Sequence, residues 1–201
     1  MTFVIGLTGS IGMGKSTTAK IFAELGCATW EADEVVHRLY RKKGAAVEPI
    51  SNVFPSVIVN GAVSRERLKS ILLEEPSAFS KLEKIIHPLV ASDRALFIEK
   101  SIADIVVLEI PLLFETGEDK NVDAVVCVFS DEITQKQRVF ARGTMTENQL
   151  LQILARQMPI DEKVKKSDFV INTDNINSAR EQVSKTLKKI HDRLKNARNR
   201  S

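Results

Sequence analysis

The sequence predicts an α/β fold: a five-stranded parallel sheet flanked by helices, with a helical stretch inserted between two of the strands. Three observations predict it. Short apolar runs that read as buried strands recur at Phe3 to Leu7, Cys27 to Trp30, Ile105 to Leu108, Ala124 to Phe129 and Phe169 to Asn172. Segments with apolar residues at helical spacing separate most of them. Residues 44–104 carry several helical patterns interrupted by Pro49, Pro55, Pro76 and the pair Asn60-Gly61, which is too much chain for a simple crossover. At 201 residues the chain is long enough to bury one sizeable core and too short for two large domains. Apolar residues at 43% and charged residues at 27% exclude a disordered or membrane-embedded chain.

The first strand, Phe3 to Leu7, runs into Gly9-Ser10-Ile11-Gly12-Met13-Gly14-Lys15-Ser16, and a helix is expected from Ser16 to Leu25. This is a complete G-x-x-x-x-G-K-S phosphate-binding loop in the order strand, loop, helix that its mechanism requires. Glycines at 9, 12 and 14 permit close approaches, so that backbone N–H groups turn inward on phosphate oxygens. Gly12, Met13, Gly14, Lys15, Ser16 and Thr17 are therefore candidates for binding the phosphates of ATP, with Lys15 reaching the β- and γ-phosphates and Ser16 ligating Mg²⁺. A plain glycine-rich turn is the weaker reading, because spacing and context both match.

Gly26 ends the first helix, and the second strand runs into Glu31-Ala32-Asp33. Ligands of open parallel sheets bind beyond the carboxyl ends of the strands, so Asp33 is a catalytic candidate; capping of a helix from Glu34 to Tyr40 is its structural alternative. In the insertion, helices are expected around Ala46 to Phe54, Arg65 to Leu73 and Phe79 to Ile86, with a long one from Pro88 to about Ser101. Pro88 suits a first helical position. Arg65 and His87 are candidate acceptor contacts, against a bland account of His87 as a partly buried, hydrogen-bonded side chain.

Ile105 to Leu108 closes on Glu109 and then Pro111-Leu112-Leu113-Phe114-Glu115. An apolar strand ending in a carboxylate is what a second Mg²⁺ ligand needs, so Glu109 joins Ser16 as a metal candidate. A helix follows from Asp131 to Arg142, with Gln135, Arg138 and Arg142 at helical spacing. Gly143 breaks it, and Thr146 with Gln149 forms a capping box for another helix through Arg156. Arg142 and Arg156 flanking a short turn suggest a basic lid at about 140–160, over a surface hairpin of solvated arginines. The last helix, Ile176 to about Ala197, ends in a basic run that includes Arg198 and Arg200, read as a solvated face.

Cys27 and Cys127 have no metal-ligand or C-x-x-C spacing and read as reduced core thiols. The formal charge of +3 does not argue for nucleic acid, though it suits phosphate-bearing ligands. With no membrane-length segment and no signal-peptide pattern, the expected location is cytoplasmic, as a monomer or small homo-oligomer with no membrane partner.

A phosphate loop alone leaves the reaction open. A switch GTPase would carry D-x-x-G and N-K-x-D, and neither occurs here. A small-molecule kinase needs a phosphate loop, a carboxylate near the acceptor hydroxyl, a cover for the acceptor and an arginine lid, and the chain has candidates for all four. Another nucleoside or nucleotide kinase, or a regulatory P-loop NTPase, is the competing reading.

Gly6 to Ser16, Ala32-Asp33, Asn60-Gly61 with Arg65 and Leu68, His87-Pro88, Pro111-Leu112-Leu113-Phe114-Glu115, Arg138 with Arg142, Gln157, and Ile171-Asn172 together resemble the dephospho-CoA kinase family, in order from about residue 3 to residue 172. The resemblance implies a P-loop kinase core at 1–43 and 102–201, a helical CoA-binding insertion at 44–101, and a lid. It implies ATP and dephospho-CoA as substrates, Mg²⁺ as cofactor, and phosphorylation of the ribose 3′-hydroxyl. On this pattern Lys15, Asp33 and Arg142 are catalytic, Asn172 lies with the ATP-binding residues, and Asp33, Arg65, His87 and Leu113 meet the acceptor. Glu31 and Glu109 depart from the family pattern, which usually has Asp at both positions; charge is kept and each arm is one methylene longer.

Overall fold

A computed structural model describes residues 2–143 and 145–198; Arg200 of the basic tail lies outside them. The chain folds as two compact units, Met1–Trp30 with Ser101–Ser201, and Glu31–Lys100. The second unit begins at Glu31 and includes the helix after the second strand.

In the first unit, β1 (Phe3–Thr8), β2 (Ala28–Glu31), β5 (Ile105–Glu109), β6 (Ala124–Phe129) and β7 (Phe169–Asn172) form one sheet in the order β2-β5-β1-β6-β7. β1 runs parallel to both β5 and β6, and β6 parallel to β7. The strand order departs from β1 in both directions, which makes the loop after β1 the topological switch point, where open α/β sheets bind ligands. All five residues of β5 are buried, so a continuous apolar run suits a strand covered on both faces. The helices α1 (Lys15–Glu24) and α9 (Ile176–Arg198) contribute Ala19, Ile21, Phe22, Val183, Leu187 and Ile190 to a core with Ile5, Leu7, Val107, Val126 and Ile171. Cys127 lies fully buried within β6 and Cys27 is partly buried; burial raises both thiols to a pKa of about 11, so neither is a ready thiolate.

After β6 come α6 (Glu132–Ala141), α7 (Glu147–Leu154) and α8 (Ile160–Lys166). Asp131 caps α6 by accepting the Thr134 N–H at 2.7 Å. The expected capping box of α7 is present: Thr146 N donates to Gln149 Oε1 at 2.9 Å, and Gln149 N to Thr146 Oγ1 at 3.4 Å. α8 has no counterpart in the sequence-based reading.

The second unit holds α2 (Ala32–Tyr40), α3 (Val47–Val53), a hairpin of β3 (Ile58–Val59) and β4 (Ala62–Val63), α4 (Arg65–Glu74) and α5 (Pro76–Lys100). Arg38 of α2 pairs with Asp93 of α5. Asn60 and Gly61 both have positive φ, 50° and 76°, and so form the two-residue turn of the hairpin rather than a simple break. The two helices expected on either side of His87 are one: α5 is continuous for 25 residues with Pro88 inside it. Proline there removes one helical hydrogen bond, yet the buried Ala78, Leu82 and Ile86 commit the preceding turns to the unit's interior, and packing overrides the local break.

Among the described residues no helix is long and apolar enough to cross a membrane.

Candidate active site

The loop between β1 and α1 is shaped by contacts that only glycine allows. Gly9 has φ +149°, and a Cβ there would lie 2.5 Å from the Val128 carbonyl oxygen. Gly14, at φ +83°, caps α1 in the left-handed region, with a hypothetical Cβ 3.0 Å from Thr173 Oγ1. The loop is thus pressed against the ends of β6 and β7. Lys15 Nζ donates to Gly9 O at 2.8 Å and Ser10 O at 3.0 Å, which arches the ammonium over the loop. The first turn of α1 brings Ser16 and Thr17 to the surface, while Met13 is buried and serves the core with its side chain.

The β1–β5 register sets Glu109 beside Leu7, at the carboxyl end of β5. Ser16 Oγ donates to Glu109 Oε1 at 3.1 Å, and Glu109 is only 7% exposed. A hydroxyl and a carboxylate therefore converge next to the phosphate loop. No cluster of three or more His, Cys, Asp or Glu suited to a metal exists among the described residues. One carboxylate and one hydroxyl nevertheless fit Mg²⁺, which is commonly held by one or two protein oxygens with phosphates and waters completing its shell.

Three braces hold the loop from behind. Gln135 of α6, itself buried, donates from Nε2 to Ile11 O at 2.7 Å. Gln157, after α7, accepts the Ile11 N–H at 3.4 Å. Thr173 donates to Met13 O at 3.0 Å and is gripped by Arg138, which reaches Thr173 Oγ1 at 3.0 Å and Thr173 O at 2.6 Å. Sequence reasoning placed none of these among the site residues. The spacing of Gln135 with Arg138 and Arg142 put them on one helical face, but only the tertiary fold shows that the face turns to the loop.

A second polar cluster, built on one buried ammonium, lies beyond Glu109. Lys163 of α8 is fully buried, donating to Pro111 O at 3.0 Å and pairing with Glu115 Oε1 at 2.8 Å. Glu115 Oε1 also accepts the Met158 N–H at 2.7 Å. Burial pushes the Glu115 carboxyl up, but Lys163 and the Met158 N–H outweigh it and hold the carboxyl below its ordinary value. Lys163→Met removes two hydrogen bonds made by one buried charged donor, a kind of bond commonly worth about 1.5–3 kcal/mol, so it should lose about 3 kcal/mol of stability. In thermal denaturation that is a midpoint lower by roughly 6–12 °C for a chain of this size.

Of the remaining first-unit candidates, Arg142 follows α6 as its C-cap and is exposed, as is Arg156 after α7. Asn172 ends β7; its Nδ2 donates to Asp174 Oδ2 at 2.8 Å, while its backbone N–H and carbonyl are both held by Gln182. Leu113 departs from expectation. It is fully buried, and a Cβ on Gly6 would lie 3.0 Å from its Cδ2, so its side chain belongs to the core and presents no surface to an acceptor.

In the second unit, Asp33 lies exposed in the first turn of α2, and Glu31, not Asp33, occupies the cap position. The capping alternative for Asp33 therefore does not apply. Arg65 opens α4 just after the cap Ser64, whose Oγ accepts the Arg67 N–H at 3.3 Å. Burial raises the Tyr40 hydroxyl, an effect that the nearby Arg65 charge partly offsets. His87 is exposed on α5, so the partly buried account is overturned as well.

A family profile described as dephospho-CoA kinase matches residues 3–180, which takes in the whole second unit and most of the first. The chain belongs to the dephospho-CoA kinase family. By that membership it is an enzyme, a kinase. A dephospho-CoA kinase of Ruegeria pomeroyi is 56% identical over 190 residues, covering 94% of this chain and 96% of the relative. Two solved structures agree. A Thermus thermophilus protein superposes with a TM-score of 0.83 at 28% identity, covering 94% of this chain and 97% of its own. The dephospho-CoA kinase from Campylobacter jejuni gives 0.67 at 25% identity, covering 94% and 98%. Pro111 and Glu115 meet at Lys163: one supplies a carbonyl and the other a carboxylate to the same buried ammonium.

Proposed function

We propose that this kinase transfers the γ-phosphoryl group of ATP to the ribose 3′-hydroxyl of dephospho-CoA, giving ADP and coenzyme A. The observation that carries the reading is the Ser16–Glu109 pair beside an arched Lys15, in a chain of this family. The first unit is the nucleotide-binding core and the second the acceptor-binding unit. The acceptor oxygen attacks the γ-phosphorus as the bond to the leaving ADP oxygen breaks, and the hydroxyl proton passes to Asp33. Such a reaction asks for positioning and charge stabilisation more than for covalent chemistry.

Gly12, Met13, Gly14, Ser16 and Thr17 bind the phosphates through backbone N–H groups and hydroxyls, and Asn172 helps frame the base side of the nucleotide. Lys15 exchanges its bonds to Gly9 O and Ser10 O for phosphate oxygens. Ser16 and Glu109 would hold Mg²⁺. That ion, when bound, neutralises charge on the β- and γ-phosphates. Arg65 and His87, both exposed, meet the acceptor's phosphates; Leu113 acts only by supporting the turn after β5.

Arg142 closes on the transferring group as part of the lid. Arg142→Ala should lower turnover about a hundredfold while leaving the KM for dephospho-CoA nearly unchanged, because its charge is needed most as the phosphoryl group loosens. An equally large rise in that KM would place Arg142 on the acceptor instead.

The test of the reaction itself is ADP release. Stimulation by dephospho-CoA and not by nucleoside monophosphates is expected. Slow hydrolysis indifferent to any acceptor would mean a regulatory nucleotide switch, and stimulation by a nucleoside monophosphate a nucleotide kinase.

A further inference from the structure

Ile11, in the phosphate loop, is gripped by side chains at both its backbone polar groups. Gln135 Nε2 donates to its carbonyl at 2.7 Å, and Gln157 Oε1 accepts its N–H at 3.4 Å. The chemistry of Ile11 fixes both amide orientations: its carbonyl needs a donor and its N–H an acceptor. The two glutamines come from opposite limbs of one structure. Gln135 lies in α6, before the turn that carries Arg142, and Gln157 follows α7, after Arg156. The Gln157 limb is anchored again one residue on, where Met158 N donates to Glu115 Oε1 at 2.7 Å. Glu115 is in turn held by the fully buried Lys163 at 2.8 Å. A shift of either limb therefore acts on the peptide groups around Ile11, and rearrangement of the loop acts on both limbs.

We propose that Gln135 and Gln157 are positioning residues that couple the phosphate loop to the α6–α7 helical pair through Ile11, so that the loop's donors are pre-set for a nucleotide's phosphates while the pair is docked. Both glutamines reach the loop through the Ile11 backbone, and neither is among the residues assigned to the nucleotide. The inference rests on the proposed function only in taking the loop as the phosphate site, and does not depend on which acceptor is used.

The decisive comparison is binding of ADP against adenosine, measured by calorimetry on the full chain. Gln157→Met keeps the side chain's length and removes the acceptor for Ile11 N–H. It should weaken ADP binding about three- to tenfold, the usual worth of one neutral hydrogen bond. Adenosine, which has no phosphate to meet the loop, should bind as it does to the parent, and the thermal midpoint without nucleotide should not move. Combining it with Gln135→Met should cost ADP little more than the larger single loss, because both glutamines act on one relay. Unchanged ADP affinity overturns the proposal. So does an equal loss for ADP and adenosine accompanied by a lower midpoint, the mark of a merely structural role, and so do fully additive losses. Should the buried Gln135 change prevent folding, the Gln157→Met comparison of ADP with adenosine decides alone. A parent protein that binds ADP yet leaves dephospho-CoA unphosphorylated would overturn the acceptor assignment and leave the coupling intact.

Discussion

Lys15→Ala should fold as the parent does and lose turnover by a hundredfold to a thousandfold. The stability half of that expectation follows from what Lys15 does without substrate. Its ammonium donates to Gly9 O and Ser10 O, and the side chain is only half-buried, so water replaces the ammonium at those carbonyls when the side chain is cut back. Three other supports of the loop do not involve it: Gln135, Gln157 and Thr173 hold Ile11 and Met13. The rate half follows from the reaction. A positive group aimed at charge that grows in the transition state is commonly worth about 2.7–4 kcal/mol. Steady-state ADP release alongside a thermal melt separates the two halves. A variant with near-native turnover would remove Lys15 from the mechanism, whereas one that melts early would show that the arch over the loop is itself structural.

The parts of this site legible in the sequence are those whose chemistry is local. A phosphate loop is contiguous, its glycines report backbone geometry, and the strand before it and the helix after it follow from apolar runs and spacing; β1, the loop and α1 are where the pattern puts them. Thr146 and Gln149 form their capping box because both halves lie within one turn. Glu109 stands at the end of its strand because a buried apolar run must meet the sheet's edge somewhere.

What escaped depends on distance in sequence. Lys163 reads as one more surface lysine in a short, highly charged segment, and α8 has only seven residues over which to show a periodicity. Its burial is intelligible only once Pro111 and Glu115, roughly fifty residues earlier, are brought to it. Gln135 and Gln157 meet at Ile11 by the same kind of closure. Pro88 misled for a different reason: a local rule was sound, but the buried residues of α5 outweighed it. The hairpin around Asn60-Gly61 carries the strongest short turn signal, yet its strands are two residues each, too short to show alternation.

Asp33→Asn should likewise leave the fold intact and cost turnover a hundredfold or more. Asp33 is exposed in the first turn of α2, next to Glu34, where a carboxylate also interacts favourably with the helix N-terminus. That structural contribution is bounded at about 0.3–1 kcal/mol for an exposed site, and Asn, which retains the shape, forfeits no more. Loss of a proton acceptor on the reacting hydroxyl costs about 10²–10⁴ in rate. The two roles thus differ enough in size to be told apart by one variant. If the carboxylate serves only the helix, Asp33→Asn turns over at close to the parent rate with a slightly lower midpoint. If it accepts the proton, turnover collapses while the KM for ATP stays near its parent value. Glu34→Gln supplies the matching control, since it removes an equal charge from the same helical turn; it should reproduce the small change in stability and leave turnover alone. A large loss of rate in both variants would mean that the turn's negative field, rather than one positioned acceptor, is what the reaction uses.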